Sequence, residues 1–414
     1  MTDRPGRPDR PEADDSDRFG PSTDGGERTD EPAVSRTHEG GPAGSEPDVL
    51  SGRSRRLVSL IGRYRVPIGL IVLVLFLRPL VSQPWALGFG RIAATMLIWM
   101  LFVASFNLLF GFTGLLSFGH AMFFGFGTYG VAIAVSRFSL PFVAGAVVGI
   151  TFASAFGYLL GRLIVNKGEI YFAMLTLAVA QAVYFVANRN PYELTGGSNG
   201  ITGTVPPWIE TYRGETTVVL GGLSVDWYWA VAAVFLICAL GLWQVLRSPF
   251  GRSLIAIREN EALARAMGVD TERYKIASFT MSGALAAVAG ALLAISDQGA
   301  ALETLGVLTS GDAVLMAVLG GVNYFFGPLA GVFVWLFAED YLTDFEVLYF
   351  PLREFVLVSV DLSGVLEYWR FLLGGLFVVI VLLSPKDGVW GFLRGLVTRV
   401  ARVGERLGGG SRER

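Results

Sequence analysis

The side chains in this sequence whose types and spacing could do chemistry are Ser117 and His120. A serine hydroxyl and an imidazole three residues later, on one face of a helix, supply a nucleophile and a base, but hydrolysis also needs a group that orients the base. The surrounding stretch, residues 107–130, is NLLFGFTGLLSFGHAMFFGFGTYG and contains no Asp or Glu. We therefore predict that the chain is not an enzyme and has neither a catalytic residue nor a metal site.

The same stretch is apolar enough to lie in a bilayer, although it contains six glycines. Glycine weakens an isolated helix, but in a membrane small residues let two helix backbones approach closely. We predict that these glycines form a tight packing seam between helices. They are Gly111, Gly114, Gly119, Gly125, Gly127 and Gly130.

The composition of the whole chain indicates that these helices belong to a membrane protein. Of 414 residues, 52% are hydrophobic and 16% are charged, whereas charge makes up about 25% of soluble domains. The apolar blocks approach the length that spans a bilayer, so the predicted fold is an all-α polytopic transmembrane helical bundle of eight to ten spans, with ten preferred. The pair within 311–343 is too short for two crossings and predicts broken or re-entrant helices that meet at Gly327 and Pro328. The blocks are 66–82, 91–110, 115–135, 140–162, 170–188, 227–246, 274–296, 311–324, 325–343 and 369–384.

Charge placement predicts the domain limits and the sidedness. Residues 1–50 contain 13 Asp and Glu against six Arg and few large apolar residues, which predicts a disordered acidic cytoplasmic tail. Residues 51–390 form the predicted transmembrane domain, and 391–414 a basic amphipathic cytoplasmic tail on the inner leaflet. Basic residues before the first span and after the last one place both termini in the cytoplasm of a multi-pass cell-membrane protein.

The predicted spans contain almost no charge at depth. Ion-coupled carriers usually keep carboxylates inside the bundle to bind the coupling ion, and none is evident. The sequence also lacks a GxxxxGK[ST] phosphate loop, so it cannot hydrolyse ATP through that device. If the protein moves a polar solute, the energy must come from a partner.

A docking site for that partner is predicted in the loop 247–275, RSPFGRSLIAIRENEALARAMGVDTERYK. Asn260 can cap a short helix that begins at Glu261, and Gly268 can end it in a left-handed conformation. A two-turn helix with one apolar face suits insertion into a groove of another protein, and a solvated connector is the alternative. The apolar face would comprise Leu263, Ala266 and Met267.

Five ordered blocks carry a specific resemblance. Residues 107–130 resemble the signature of LivM/LivH-type permeases, the membrane subunits of branched-chain amino-acid ABC importers. The other blocks follow the order of the LivM branch, and the resemblance covers roughly residues 66–390. They are GEIYFAMLTLAVAQ (168–181), LTGGSNGITG (194–203), SPFGRSLIAIRENEALARAMGVDTERYKIASF (248–279) and AVLGGVNYFFGPLAG (317–331).

The resemblance implies a set of partners. They are a second, LivH-like permease, two ABC ATPase subunits that hold ATP and Mg, and an extracellular substrate-binding protein, with no nucleic acid and no cofactor in this chain. Residues 248–272 would be the coupling loop that meets an ATPase, although it departs from the general EAA-plus-glycine pattern of ABC importers. The expected coupling residues are Glu259, Asn260, Glu261, Ala262, Leu263, Ala266, Met267 and Gly268.

The resemblance also implies a solute pathway lined by polar groups. The expected pathway residues are Ser117, His120, Thr128, Thr176 and Gln181. His120 could instead be hydrogen-bonded to a neighbouring helix as a structural residue.

The outer loop 189–226 is expected to face the binding protein or the pathway mouth, and an ordinary connector is the alternative. Substrates are branched-chain or related small amino acids, with urea or short amides as alternatives within the family and a channel or ion-coupled carrier as the alternative outside it.

Overall fold

The computed structural model describes residues 66–82, 90–203, 209–212, 215–220, 223–344, 347–352 and 355–361, together with single residues and short runs between 371 and 395. The predicted acidic tail and most of the basic tail lie outside the described residues. So does most of the last predicted span, 369–384.

The described part of the chain is mainly helical, which confirms the all-α polytopic bundle. Six helices are long and apolar enough to cross a membrane, and three shorter apolar helices accompany them in the described residues. The tenth predicted span stays a prediction. The helices are α1 Val66–Val81, α2 Gly90–Asn107, α3 Ala121–Phe138, α4 Phe142–Ile164, α5 Glu169–Arg189, α6 Trp227–Arg247, α7 Pro249–Glu259, α8 Glu261–Ala266, α9 Thr271–Ser296, α10 Val307–Gly320 and α11 Gly327–Asp344.

Short antiparallel strands lie in the connections between helices. Two of them pair the segment after α5 with the segment after α9, at Ile201 opposite Ala300. Three more form a small sheet before α6, and the last two form a hairpin after α11. The strands are β1 Ile201–Thr202, β2 Ile209–Tyr212, β3 Glu215–Leu220, β4 Leu223–Asp226, β5 Gly299–Ala300, β6 Val347–Leu352 and β7 Phe355–Asp361.

Helix α9 lies at the centre of the bundle and packs against α2, α3 and α4. Its sequence from Gly283 to Gly290 is rich in Ala and Gly, which suits close backbone approach in a membrane because association there depends on packing. A Cβ added at Gly290 would overlap the carbonyl of Phe124 in α3. Contacts at such short range leave no room for larger side chains.

Helices α10 and α11 are the predicted broken pair. Helix α10 has 14 residues and is therefore about 21 Å long, short of a bilayer core of about 30 Å. The chain reverses at 321–326, and α11 begins at Gly327 with Pro328 in its first turn, where proline is tolerated. The predicted meeting point of the two helices is confirmed.

One predicted element is wrong. The sequence pattern predicted a single helix over 115–135, but α3 begins only at Ala121. Helix α2 continues instead as a π-helix, Leu108–Thr113, which we call the π-helical segment. Gly114, with a left-handed φ of 82°, ends that segment, and residues 114–120 are not helical. Apolar periodicity could not reveal this break because the residues on both sides of it are equally apolar.

Candidate functional site

The non-helical residues 114–120 connect the π-helical segment to α3 and contain Ser117 and His120. Both side chains are fully buried. The sequence predicted that the two residues share one face of a helix. They do not, because the helix begins after His120. Ser117 Oγ and His120 Nδ1 have no hydrogen-bond partner within the described residues. The structure thus brings the two residues into one segment but shows no hydrogen bond from one to the other.

His120 is held by aromatic rings and by one serine. Its ring stacks on Phe102 at 5.5 Å between centroids and meets the edges of Phe106 and Phe123. Ser105 Oγ donates to the carbonyl of Phe102 at 2.6 Å and lies 3.0 Å from His120 Nε2. Because the serine proton is engaged at Phe102, Ser105 Oγ can accept a hydrogen bond from His120 Nε2–H.

The remaining predicted pathway residues separate into two environments. Thr128 is buried, and its single hydroxyl proton is shared between the carbonyls of Phe124, at 3.0 Å, and Gly290, at 3.1 Å, so it joins α3 to α9. Thr176 is buried and donates to a carbonyl of its own helix. Gln181 is exposed on the outer side of α5. The structure does not bring Gln181 together with the other four.

Each of the six glycines in residues 107–130 lies against another segment. A Cβ at Gly127 would overlap the carbonyl of Ala287 in α9, and one at Gly130 would lie 2.6 Å from Gly149 Cα in α4. The other four glycines have similarly close neighbours. Gly111 faces the carbonyl of Val322, Gly114 the side chain of Arg258, Gly119 the carbonyl of Thr176 and Gly125 the side chain of Leu305.

Helices α7 and α8 lie in the predicted coupling segment. Asn260 caps α8, because its Oδ1 accepts a hydrogen bond from the Leu263 N–H at 2.9 Å. Gly268 has a left-handed φ of 87° and its N–H donates to the carbonyl of Arg265. The predicted beginning and end of this helix are both confirmed.

The apolar face of α8 is uncovered. Leu263 is 56% exposed and Met267 is 66% exposed, and Ala266 beside them is exposed too. Ala264, on the opposite side, is 1% exposed and packs towards the bundle. A capped helix attached by one side therefore presents three apolar residues outward.

Glu261 faces the bundle and fixes α8 to α9, which the sequence did not predict. Its carboxylate accepts from Lys275 Nζ at 2.7 Å and from Arg265 Nη2 at 3.0 Å. Burial opposes its ionisation, but the hydrogen bonds and charges of Lys275, Thr271 and Arg265 hold the pKa of Glu261 below its ordinary value. Glu261, one of the expected coupling residues, therefore also has a structural role between α8 and α9. The missed signal was Lys275, a cation 14 residues later that is nearly buried.

A cavity of about 520 Å³ lies between α8, the beginning of α9 and the α4–α5 connection. Carboxylates and cations both line it, including Glu169, Glu261 and Lys275. Leu115 of the non-helical break lines it as well. The cavity therefore links the coupling segment to the break in the membrane domain, in a size range typical of small-molecule sites.

These features define a class of protein: a polytopic helical membrane protein with discontinuous helices, the construction that solute transporters use for their pathways. A family model described as branched-chain amino acid transport system / permease component matches residues 88–381. The chain belongs to this family, and the resemblance drawn from its sequence blocks is confirmed.

Individual relatives agree with the family match. The chain is 26% identical over 334 residues, 76% of its length and 74% of the relative, to the high-affinity branched-chain amino acid transport system permease protein LivM of Escherichia coli (strain K12). It is 26% identical over 324 residues, 74% and 71% of the two chains, to LivM of Salmonella typhimurium (strain LT2). A shorter stretch of 115 residues, 28% and 26% of the two chains, is 32% identical to the xylose transport system permease protein XylH of Escherichia coli. No solved structure shows a significant match.

Proposed function

We propose that this chain is one permease subunit of an ATP-driven importer for branched-chain or related small amino acids. The observation that supports it most directly is similarity to LivM permeases along about three quarters of both chains. Such an importer needs a second permease, two ATPase chains that bind ATP and Mg, and an external binding protein. The absence of a phosphate loop in this sequence suits a subunit that relies on partners for hydrolysis.

The exposed face of α8 is the proposed ATPase contact. A short capped helix whose apolar side chains point away from its own protein matches helix-in-groove recognition. Leu263 and Met267 would enter the groove, and Ala266 would lie between them. Glu261 holds the helix against α9 through Lys275, so that force on α8 reaches a helix at the centre of the bundle.

Helix α5 is the proposed border with the second permease. Its outer side exposes Tyr171, Met174 and Phe185, as lipid or a partner would require, but it also exposes the amide of Gln181. An amide without a hydrogen-bond partner is costly in hydrocarbon. We therefore place Gln181 at the permease–permease boundary, where it can meet the solute or a polar group of the partner.

His120 has a structural role in this proposal. Its Nε2 is hydrogen-bonded to Ser105, and three phenylalanine rings surround it. A zwitterion could reach it only after those rings separated. Among the five expected pathway residues, Gln181 therefore fits solute contact best, while Thr128 and Thr176 fit helix packing.

The loop after α5 is proposed to meet the external binding protein. Asn190 Oδ1 accepts from Thr195 N–H at 2.7 Å and from Gly196 N–H at 3.1 Å, which fixes the start of the LTGGSNG stretch. Pairing of β1 with β5 fixes its end. Ser198 is exposed between these anchors, so the loop offers an ordered surface instead of a loose connector.

The test is uptake of radiolabelled leucine by proteoliposomes that contain this chain with its partner chains and binding protein. Uptake should require ATP in the vesicle lumen, with the ATPases oriented towards that lumen. It should persist when ion gradients are collapsed. Uptake that ignores ATP but stops with an ionophore would identify a secondary carrier and refute the proposal.

Substrate class is tested in the same vesicles. Because a short stretch also resembles a permease named for xylose, radiolabelled leucine, urea, acetamide and xylose are each supplied in turn. Uptake of leucine alone supports the proposal, and uptake of urea, acetamide or xylose without leucine would contradict it.

A further inference from the structure

Arg258, near the end of α7, connects the coupling segment to the break in α2. Its Nη1 donates a hydrogen bond to the carbonyl of Gly111 in the π-helical segment. Its Nη2 donates to Asn323 Oδ1 at 2.8 Å, in the turn between α10 and α11. One guanidinium group thus joins three segments that are far apart in the sequence.

The carbonyl of Gly111 lies near the end of the π-helical segment and is available as a hydrogen-bond acceptor. The last carbonyl groups of a helix have no following N–H groups of that helix to bind, and Gly114 ends this one three residues after Gly111. A cation at a helix C-terminus also interacts favourably with the helix dipole. The contact between Arg258 and Gly111 therefore supplies what the end of this segment lacks.

The α10–α11 turn lies directly against the same segment. A Cβ at Gly111 would overlap the carbonyl of Val322, and Asn107 Nδ2 approaches the carbonyl of Tyr324 at 3.5 Å. The π-helical segment and the turn are consequently in backbone contact. Arg258 holds both of them at once from the side of the coupling segment.

Helix α7 is firmly attached and can transmit displacement. Leu254 and Ile257 are buried, and the ring of Phe250 stacks on Tyr274 of α9 at 5.2 Å between centroids. Only Glu259 separates Arg258 from Asn260, the cap of α8. A movement of α8 therefore reaches Arg258 through one residue of chain.

We propose that Arg258 is a positioning residue for transport, which carries displacement of α8 to the π-helical segment and so to the break that contains Ser117 and His120. The inference rests on the proposed function. π-helical turns are rare and are frequently found at functional sites. The planar fork of arginine binds two acceptors at fixed geometry, whereas the lysine ammonium is a point charge on a flexible stem.

The experiment measures leucine imported per ATP hydrolysed in the full complex, for Arg258→Ala, Arg258→Lys and Asn323→Ala. Arg252→Ala is the matched control, because Arg252 is an exposed arginine on the same helix. Arg258→Ala should lower the ratio by roughly tenfold or more, because it removes two charge-assisted hydrogen bonds, each worth about a factor of ten or more in an equilibrium. Arg258→Lys should recover part of it, and ATPase chains should co-purify in normal amounts.

Two outcomes would overturn the inference. The first is a normal ratio in Arg258→Ala. The second is loss of assembly in all three variants, which would give Arg258 and Asn323 a purely structural role. An inactive wild-type complex would instead contradict the proposed function, so the two failures are distinguishable. Combining Arg258→Ala with Asn323→Ala should lower the ratio no further than Arg258→Ala alone, because both remove the same connection.

Discussion

Replacing Leu263 by Asp should release the ATPase from this chain. Leu263 is 56% exposed in the free chain, so a groove that covers it removes roughly half of its surface from water. Burying a whole leucine side chain is worth about 1.5–3 kcal/mol, and the uncovered part therefore contributes about 1–2 kcal/mol. An aspartate in the same groove adds the cost of an unpaired carboxylate, which brings the total to about 3 kcal/mol or more, or about a hundredfold in affinity.

The assay is co-purification of the ATPase chains with the permease, followed by titration of ATPase into permease in detergent. Leu263→Ala should show an intermediate loss, and affinity for the external binding protein should stay unchanged. Arg265→Ala should weaken the complex less, because Arg265 lies at the rim and its charge is largely solvated. Because Leu263 is exposed, the change does not disturb the core of this chain. ATPase binding at the wild-type level in Leu263→Asp would refute the assignment of α8 as the contact.

Three further predictions concern topology, charge and packing. With the single native cysteine replaced by serine, Ser198→Cys should react with an impermeant thiol reagent added outside the cell, and labelling from the cytoplasmic side alone would reverse the predicted topology. Because the pKa of Glu261 is lowered, its pairing with Lys275 stabilises α8 above the ordinary carboxyl range and is lost as pH falls through the lowered pKa. ATPase binding by the wild-type chain should therefore weaken on acidification. The Glu261→Gln variant should bind the ATPase more weakly at neutral pH, and its binding should be nearly independent of pH. An identical pH profile of binding in the wild type and the variant would contradict this. Gly127→Ala should lower the free energy of unfolding in detergent by about 1–3 kcal/mol, because the added methyl group meets the backbone of α9. Gly241→Ala should not lower it, because there is open space around Gly241. Equal effects of the two substitutions would show that the seam is not tight.

Local features of the fold could be predicted well from the sequence. Asn260 and Gly268 bound α8 because caps and left-handed glycines act within a few residues. Apolar block length located the spans for the same reason, including the shortened pair at Gly327. Each of these signals is written in one stretch of chain.

Contacts between distant segments could not be predicted in the same way. Nothing near Arg258 in the sequence indicates that its partners are Gly111 and Asn323, and nothing near His120 indicates Ser105. The break after the π-helical segment was missed because a glycine in an apolar run is compatible both with continued helix and with its end. Only the packed bundle decides between those two structures.

The contact of α3 with α9 has a consequence for the kind of motion that the bundle allows. At Gly127 and Gly290 the facing surfaces are backbone and small side chains. One turn before Gly127, however, the ring of Phe123 in α3 packs against Gly283 and Phe279 of α9. Interdigitated helices must separate before they can move, but two smooth surfaces can slide while they stay in contact. A shear between α3 and α9 is therefore cheap at the glycines, and the Phe123 contact limits how far it can go. An added methyl group at the seam would act as a brake on that motion, even in a protein that still folds.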